Sequence, residues 1–295
     1  GHRCREGIYL SPVRKADSRQ ESILLAATIG SGTLVIGLFF LMLHLGWPLL
    51  VSGQFFSLLF QEWRPAEGIY GIYPMLVGSI AISLLALVIS LPISLGAAFS
   101  ATLLAPFWAR SFLLLLVRYM AGIPTVVYGF VAVFFLVPFM REHVTGGSGF
   151  TILAAAIVLA ILISPTMIIF FVNGLNSVSR SHRLAVDALG GRPTQKLLYL
   201  LIPQAWPSLA AGTIMGLGRA MGDTLISLMV AGNSIAVPET VTDSARTLTA
   251  HIALVIAADF SGMEFMSIFS CGIVLYIFTV LSVGVIRLST GNKIE

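Results

Sequence analysis

The chain has 295 residues, of which 57% are hydrophobic and 10% are charged, and its formal net charge is +4. Soluble globular domains carry about 25% charged residues, and several apolar runs here exceed the roughly 20 residues that cross a bilayer. The composition therefore excludes a soluble fold and predicts an all-α polytopic membrane protein, in which retained basic residues explain the positive charge without a nucleic-acid partner.

Hydropathy and helix-breaking residues predict six membrane-spanning helices. The second and third are longer than one bilayer thickness, so we expect them to tilt or to extend beyond the membrane. The predicted spans are Glu21–Leu45, Pro74–Ala105, Arg110–Pro138, Phe150–Val172, Pro207–Ala236 and Glu264–Arg287.

The basic residues predict how these spans are oriented. An even number of spans puts both termini on one side, where thirteen of the 17 Lys and Arg residues fall, whereas Arg64, Arg141 and Arg246 fall on the other. Because cytosolic loops retain Lys and Arg, we expect a multi-pass protein of a bacterial cytoplasmic (inner) membrane, surrounded by lipid, with both termini in the cytosol. Cys4 and Cys271 lie far apart, so we expect no disulfide.

The third predicted span contains Pro124, which removes a backbone donor and can kink a helix. Two interpretations are open. Either the kink shapes packing only, or the helix is broken there and presents Thr125 and Tyr128 to a polar pathway. Pro92 and Pro165, in the neighbouring spans, are interpreted as packing kinks.

A polar stretch joins the fourth span to the fifth and begins with a short predicted helix. Ser179 or Ser181 can cap this helix, which ends at Leu189. Arg183 and Asp187 lie four residues apart on its polar side, a spacing that permits a weak ion pair.

Glycine and proline then predict a helical hairpin. Gly190 ends the first helix as its C-cap, Pro193 suits the first turn of a second helix, and Pro203 closes that second helix. The hairpin is either an amphipathic loop on the membrane surface or a cytosolic docking knob, and its residue types alone leave both open.

The fifth predicted span carries Arg219 and Asp223 one helical turn apart. A charge at the centre of a bilayer costs about 2.5–3.5 kcal/mol. Either the pair neutralises itself and fixes helix packing, or Arg219 contacts an anion along a translocation path while Asp223 orients the guanidinium. At about 100° per residue, the two charges share a stripe with Gly212, Gly216 and Ser227.

Residues 246–258 are apolar but too short to cross a bilayer, so we expect them to lie at the outer interface or to form a re-entrant helix. Arg246 and His251 in this segment either receive substrate or are solvated rim residues. No cluster of His, Cys or carboxylate residues predicts a metal site, and no nucleophile–base spacing predicts catalytic residues.

The spacing of the polar hairpin carries a family resemblance. Ala185, Gly190 and Pro203 fall in the register of the Glu-Ala-Ala motif, with Leu184 where Glu is usual and Val186 where the second Ala is usual. The hairpin thus resembles the EAA loop of ABC-importer permeases, which forms a coupling helix that docks on an ATPase subunit. Arg183 or Asp187 would then supply the missing polar contact. The resemblance implies that the coupling residues are Arg183, Ala185, Asp187, Ala188, Leu189, Gly190 and Pro203.

Two further segments narrow this resemblance. GRAMGDT, which starts at Gly218 and is followed by LMVAGN, and AGIPTVVYGF, which starts at Ala121, are similar to segments of the PstC-type permease subunits of phosphate importers. Asp223 replaces the usual Glu, and Thr125 replaces Ser. The similarity covers roughly residues 71–287 and implies six helices of the type I, MetI-like kind. The substrate pathway that it implies contains Arg219, Asp223, Thr125, Tyr128 and Ser227.

The resemblance also implies a function, which is the import of inorganic phosphate by ATP-driven alternating access. The implied partners are a second permease subunit, two ATP-binding subunits and an extracytoplasmic phosphate-binding protein. Because the chain has no G-x-x-x-x-G-K-[ST] loop, we expect no enzymatic activity and no cofactor here, with ATP hydrolysed in a separate chain. Permeation of another oxyanion (sulfate, molybdate or tungstate) and an ion-coupled secondary transporter remain alternatives. The implied organisation is a cytosolic tail (1–20), a first helix with an outer loop (21–70), a permease core (71–287) with the coupling loop 176–205, and a second cytosolic tail (288–295).

Overall fold

A computed structural model describes residues 13–51, 58–258 and 263–291, so parts of both predicted tails, at 1–12 and 292–295, lie outside the described residues. Within the described ranges, six helices are long and apolar enough to cross a membrane, which confirms the predicted number. These spans are Gln20–Leu45, Tyr73–Leu104, Thr125–Val144, Ile152–Ser177, Pro193–Gly222 and Ser267–Ile286.

The named elements are mostly helices, with one small antiparallel hairpin in which Trp63 lies opposite Tyr70. Three π-helical turns extend helices, at Ser100–Leu104, Arg141–Thr145 and Lys196–Leu201. In chain order the elements are α1 (Val13–Val51), β1 (Trp63–Arg64), β2 (Ile69–Tyr70), α2 (Tyr73–Phe99), α3 (Phe107–Gly122), α4 (Thr125–Met140), α5 (Ile152–Ser177), α6 (Arg180–Ala188), α7 (Pro193–Gln195), α8 (Ile202–Gly222), α9 (Leu225–Val230), α10 (Leu248–Ala258) and α11 (Met263–Gly291).

Helix α5 forms the centre of the bundle. Most of its side chains are buried, and it packs along α2 on one side and α8 on another. The hydroxyl oxygens of Ser90 on α2 and Ser164 on α5 lie 2.9 Å apart and share a hydrogen bond. Such bonds between small polar residues hold helices together where lipid gives no hydrophobic driving force.

Small residues bring α8 close to α5. A Cβ added to Gly174 would lie 2.3 Å from the Cβ of Ser208, and one added to Gly212 would lie 2.7 Å from the Cβ of Phe170. A Cβ on Gly216 would likewise contact Met167. The glycines of the predicted stripe therefore serve close helix packing against α5.

The third predicted span is divided. Helix α3 ends at Gly122 and α4 begins at Thr125, because Ile123 and Pro124 have extended backbones. Proline has no N–H, and it disfavours a helical conformation for the residue before it. The continuous span Arg110–Pro138 is therefore wrong, and the helix is broken at Pro124, as the second interpretation requires. The break alone does not show that Thr125 and Tyr128 face a pathway.

The predicted fifth span, Pro207–Ala236, is also wrong. The helix starts at Pro193 and stops at Gly222, before Asp223. Pro203 does not close a helix as predicted, because the wider π-helical turn that precedes it accommodates the proline ring and its missing N–H.

Helix α6 begins at Arg180 without the predicted serine cap. Ser179 occupies the N-cap position, but its hydroxyl lies 2.7 Å from that of Ser181, and no side chain caps the first turn.

The packing of α5 on α8 predicts the effect of one added methyl group. Because overpacking costs about 1–3 kcal/mol, we expect Gly174→Ala to lower the Tm of the purified protein in detergent, measured by a fluorescence thermal shift. Gly96→Ala in α2 is the control, because a Cβ there meets nothing within 4 Å. Equal Tm values for Gly174→Ala and the wild type would contradict the close packing.

Candidate functional site

Two helix breaks lie side by side in the bundle. One separates α3 from α4, and the other separates α8 from α9, where the backbone of Asp223 is extended (φ −73°, ψ 130°). They are neighbours because α4 packs closely on α9: a Cβ added to Gly129 would lie 2.8 Å from the sulfur of Met229. The first turns of α4 and α9 therefore open into the same space.

That space is a cleft of about 360 Å³. It brings together Arg219, Asp223 and Thr125, which the sequence predicts for a substrate pathway. The residues that line the cleft come from both breaks, from α8 and from α5, and they are Thr125, Leu162, Arg219, Gly222, Asp223, Thr224 and Leu225.

Arg219 supplies the positive charge of the cleft. It lies in the last turn of α8, and its Nη1 donates a 2.7 Å hydrogen bond to the hydroxyl of Thr166 on α5. In the part of the chain that the structure describes, no carboxylate pairs with this guanidinium within 4.0 Å. Since arginine has five N–H donors, most of its hydrogen-bonding capacity is available to a ligand.

The carboxylate of Asp223 contacts the start of α9 instead of Arg219. Its Oδ2 accepts a 2.9 Å hydrogen bond from the backbone N–H of Ile226, which is the N-cap arrangement that aspartate favours. The expected Arg219–Asp223 ion pair is absent from the described contacts. The helix ends at Gly222, and the extended backbone of Asp223 places the start of α9 beside its carboxylate, which accepts a hydrogen bond there instead.

The backbone carbonyl of Asp223 accepts bonds from two hydroxyls. The Oγ1 of Thr249 on α10 lies at 2.8 Å and the Oγ of Ser227 at 3.4 Å. A carbonyl freed by a helix break inside a membrane needs such partners where it is buried in the protein, because the hydrocarbon of the bilayer offers no donors. Ser227 is buried beneath the break, so it stabilises the cleft rather than lining it.

Tyr128 stabilises the other break. Its hydroxyl donates a 2.9 Å bond to the carbonyl of Met120, in the last turn of α3, and so links the two sides of the break. Its ring lines a separate apolar cavity of about 340 Å³ between α4 and α5, outside the Arg219 cleft. Tyr128 therefore stabilises the backbone beside the cleft and does not line the cleft itself.

Three threonines of the site are not predicted from the sequence. Thr166 bonds the guanidinium, Thr224 lines the cleft, and Thr249 bonds the break. A hydroxyl in an apolar helix is a weak signal, because threonine commonly bonds a carbonyl of its own helix, as Thr213 does. Only the fold distinguishes the two cases.

The chemistry of the cleft suits an oxyanion. A guanidinium, the hydroxyls of Thr125 and Thr224, and the partly positive first turn of α4 all present donors. The Asp223 carboxylate is the acidic group in the lining. Within the described ranges, no three His, Cys, Asp or Glu side chains converge as a metal site would require.

The connection between α5 and α8 forms the predicted coupling hairpin. Helix α6 ends as predicted, with Gly190 in the left-handed conformation at φ +72°. The exposed surface of this hairpin includes an apolar patch, called the knob below, whose tip residue Leu189 is 87% exposed. The knob consists of Leu184, Ala185, Ala188 and Leu189.

The sequence predicts that Arg183 and Asp187 contact the ATPase subunit. In the structure both side chains form bonds within this chain. Arg183 donates to the carbonyl of Leu175 near the end of α5, and Asp187 forms an ion pair with Lys196. The predicted Arg183–Asp187 pair is therefore wrong, because each side chain has a closer partner beyond α6. The knob is left without a charged group of its own.

The apolar segment after the cleft forms α10. His251 is fully buried: its ring packs edge-on against Trp63 at 4.5 Å, and its Nε2 lies 3.2 Å from the Ser267 hydroxyl. Its interpretation as a solvated rim residue is therefore wrong, because packing against α11 covers it. Arg246 is half-buried and donates from Nε to the carbonyl of Asn233 at 3.2 Å.

Known proteins are similar to this chain in sequence. The family model described as "Binding-protein-dependent transport system inner membrane component" matches residues 90–290. YqgH of Bacillus subtilis (strain 168), named a probable ABC transporter permease protein, is 34% identical over 237 residues, which are 79% of this chain and 77% of that protein. The phosphate transport system permease protein PstC of Pasteurella multocida (strain Pm70) is 29% identical over 288 residues, covering 90% of this chain and 86% of that one.

Solved structures share the fold. A bacterial ABC transporter involved in the import of alginate superimposes with a TM-score of 0.64 at 15% identity, over 94% of this chain and 99% of that chain. An inward-facing MetNI methionine ABC transporter superimposes with a TM-score of 0.56 at 17% identity, over 72% of this chain and 93% of that chain. At these identities the likeness concerns the fold alone.

The bond from Arg183 predicts how α6 is attached. Because hydrogen bonds from charged groups contribute about 1.5–3 kcal/mol, we expect Arg183→Met to raise amide hydrogen exchange in residues 180–188 by about tenfold or more. Arg180→Met removes the same charge from an exposed position and should keep wild-type exchange. Unchanged exchange in Arg183→Met would contradict a structural role for this bond.

Proposed function

This chain belongs to the family of binding-protein-dependent transport system inner membrane components, and on that premise we propose that it translocates inorganic phosphate in an ATP-driven importer. As a permease component of an ABC importer it is not an enzyme, and the ATPase is a separate subunit in these systems. Membership in this family excludes the ion-coupled secondary transporter as an alternative.

The observation that carries the proposal is the guanidinium of Arg219 in a donor-lined cleft between two helix breaks. A planar guanidinium binds an oxyanion through two parallel hydrogen bonds, and it stays charged at every physiological pH. Relatives named for phosphate transport, which cover most of the chain, support phosphate as this oxyanion.

A single positive charge suits a transport site. An anion at the depth of the bilayer needs a compensating charge, and Arg219 supplies it. A site must also release what it binds. Thr166 occupies one donor of the guanidinium, and the Asp223 carboxylate in the same cleft weakens its pull on an anion. In alternating access, movements of α8 against α5 would open this cleft first to the outside and then to the cytosol.

The knob is the place where ATP hydrolysis acts on this chain. Association with ATP-binding subunits and a substrate-binding protein follows from the family. We infer further that there are two ATP-binding subunits and a second permease subunit, and that both termini and the knob lie in the cytosol. The chain is helical from Pro193 to Gly222. A displacement of the hairpin would therefore be transmitted to Arg219 through one continuous helix.

A second candidate substrate is a different oxyanion, such as sulfate, molybdate or tungstate. The carboxylate of Asp223 argues against it. A carboxylate repels a fully ionised oxyanion but accepts a hydrogen bond from a protonated one. Phosphate keeps at least one P–OH group at neutral pH, whereas the three alternatives keep no O–H group. A site that contains an acceptor for a substrate hydroxyl discriminates strongly against analogues that lack it.

Removal of the guanidinium tests the anion contact. We expect Arg219→Ala to lower phosphate uptake by about thirtyfold or more, since each charge-assisted hydrogen bond contributes about 1.5–3 kcal/mol. Uptake is measured in proteoliposomes that contain all partner subunits, and assembly is checked by size-exclusion chromatography. Arg118→Ala, which removes an exposed charge on α3, is the control. Near-normal uptake by an assembled Arg219→Ala variant would rule out the role.

Neutralisation of Asp223 tests the substrate. Asp223→Asn keeps the oxygen that caps α9 and removes the negative charge, so we expect the ratio of phosphate to sulfate uptake to fall by about tenfold, the effect of roughly 1.4 kcal/mol. The ratio is measured by competition with labelled phosphate in the same vesicles.

A matched control comes from the outer loop. The Asp243 carboxylate accepts backbone N–H bonds from Thr240 (2.7 Å) and Glu239 (2.9 Å), which lower its pKa and keep it ionised outside the cleft. Asp243→Asn should leave the uptake ratio unchanged. An unchanged ratio in Asp223→Asn would refute discrimination by this carboxylate. If the wild-type protein preferred sulfate or molybdate to phosphate, the proposal that phosphate is the substrate would be wrong.

A further inference from the structure

The break between α8 and α9 frees a carbonyl group inside the membrane-spanning bundle. Asp223 lies outside the regular hydrogen bonding of both helices, and its carbonyl is bonded by hydroxyls. The shorter of these bonds, at 2.8 Å, comes from Thr249, which lies 26 positions further along the chain on α10. The local donor, Ser227, is more distant at 3.4 Å. The conformation of the break between α8 and α9 therefore depends mainly on a third helix, α10.

Helix α10 holds the Thr249 hydroxyl in a fixed place. At its first residue, the N–H of Leu248 donates a 2.8 Å bond to the hydroxyl of Ser79 on α2. One turn later, His251 lies 3.2 Å from the hydroxyl of Ser267 on α11. These two attachments flank Thr249 along the chain, so its position is set by α2 and α11.

Without that hydroxyl, the break has an alternative conformation. If Asp223 became helical, its carbonyl would accept the N–H of Ser227 four residues later, and α8 and α9 would form one continuous helix. The N–H of Ile226 would then bond the carbonyl of Gly222. The Asp223 carboxylate would therefore lose its present donor and could pair with Arg219, four residues before it. The guanidinium would be neutralised by its own chain and lost to a substrate.

We propose that Thr249 is a positioning residue that holds the α8–α9 break open and thereby keeps Arg219 free to bind the transported anion. This inference rests on the proposed function, because it gives Thr249 its role through the Arg219 cleft. The hydroxyl replaces the helical partner that the Asp223 carbonyl lacks. The same contact ties the anion cleft to α10, and through it to α2 and α11.

The test is the amount of phosphate transported per ATP hydrolysed by the complete importer in proteoliposomes loaded with the phosphate-binding protein. Thr249→Val keeps the shape of the side chain and removes the donor, so we expect this ratio to fall by about tenfold, as for an unsatisfied buried carbonyl. ATP hydrolysis itself should persist, because the knob is unchanged. The ratio does not depend on how much protein assembles, so a lower yield of the assembled complex would not lower it.

Two variants serve as matched controls. Thr249→Ser retains the donor and should retain the wild-type ratio. Thr213→Val removes a hydroxyl that donates to a carbonyl of its own helix, that of Leu209, and should also behave as wild type. A wild-type ratio in Thr249→Val, or an equal loss in either control, would overturn the proposal.

The remaining outcomes are also decisive. If Thr249→Val does not assemble, Thr249→Ala is used, and failure of both while Thr249→Ser assembles would show a folding role and overturn the positioning role. Arg219→Ala, measured in the same assay, separates the two hypotheses. Normal transport by Arg219→Ala would overturn the proposed function and the Thr249 proposal together. Loss of transport in Arg219→Ala with a normal ratio in Thr249→Val would overturn only the latter.

Discussion

The structure depends on one constraint, which is that every backbone polar group inside a membrane needs a partner within the protein. The two helix breaks would be costly if their groups were unsatisfied, and each break has its own donors. Tyr128 bonds the carbonyl of Met120 at the first break. Thr249 bonds the carbonyl of Asp223 at the second. Because these bonds are made by side chains from within the bundle, the N–H groups and hydroxyls at the breaks can face a cleft.

Helix α5 connects this cleft to the rest of the molecule. It contributes Thr166 to the guanidinium of Arg219, and it accepts the bond from Arg183 of the coupling hairpin at its other end. Its close contact with α8, through Gly174 and Gly212, leaves little room for the two helices to separate. Movements that change the cleft are therefore expected to slide or rotate α8 along α5, and the hairpin that joins the two helices is the natural point at which to drive them.

The sequence predicts the number of spans and several residues of the cleft better than it predicts the backbone conformation at the cleft. Apolar run lengths determine six helices, and Pro124 indicates the break that follows α3. The break at Asp223 has no comparable signal, because a Gly-Asp-Thr sequence is compatible with a helix, and the shorter hydroxyl bond to the Asp223 carbonyl comes from Thr249, 26 positions further along the chain. The same limitation affects Arg183 and Asp187, whose spacing in α6 predicts a mutual pair. Their actual partners, Leu175 and Lys196, lie on other elements, and local spacing carries no information about them.

The placement of Asp223 resolves a conflict between stability and transport. A helical Arg219–Asp223 pair would be the more stable way to keep two charges in a bilayer, because each would neutralise the other. It would also compete with any substrate for the guanidinium. By capping α9 through Ile226, the carboxylate obtains a hydrogen-bond donor of its own, and the guanidinium is satisfied only in part, by Thr166. Under the proposed function, the remaining donors of Arg219 are fully satisfied only when an anion occupies the cleft, and this incomplete hydrogen bonding of the empty site would favour anion binding.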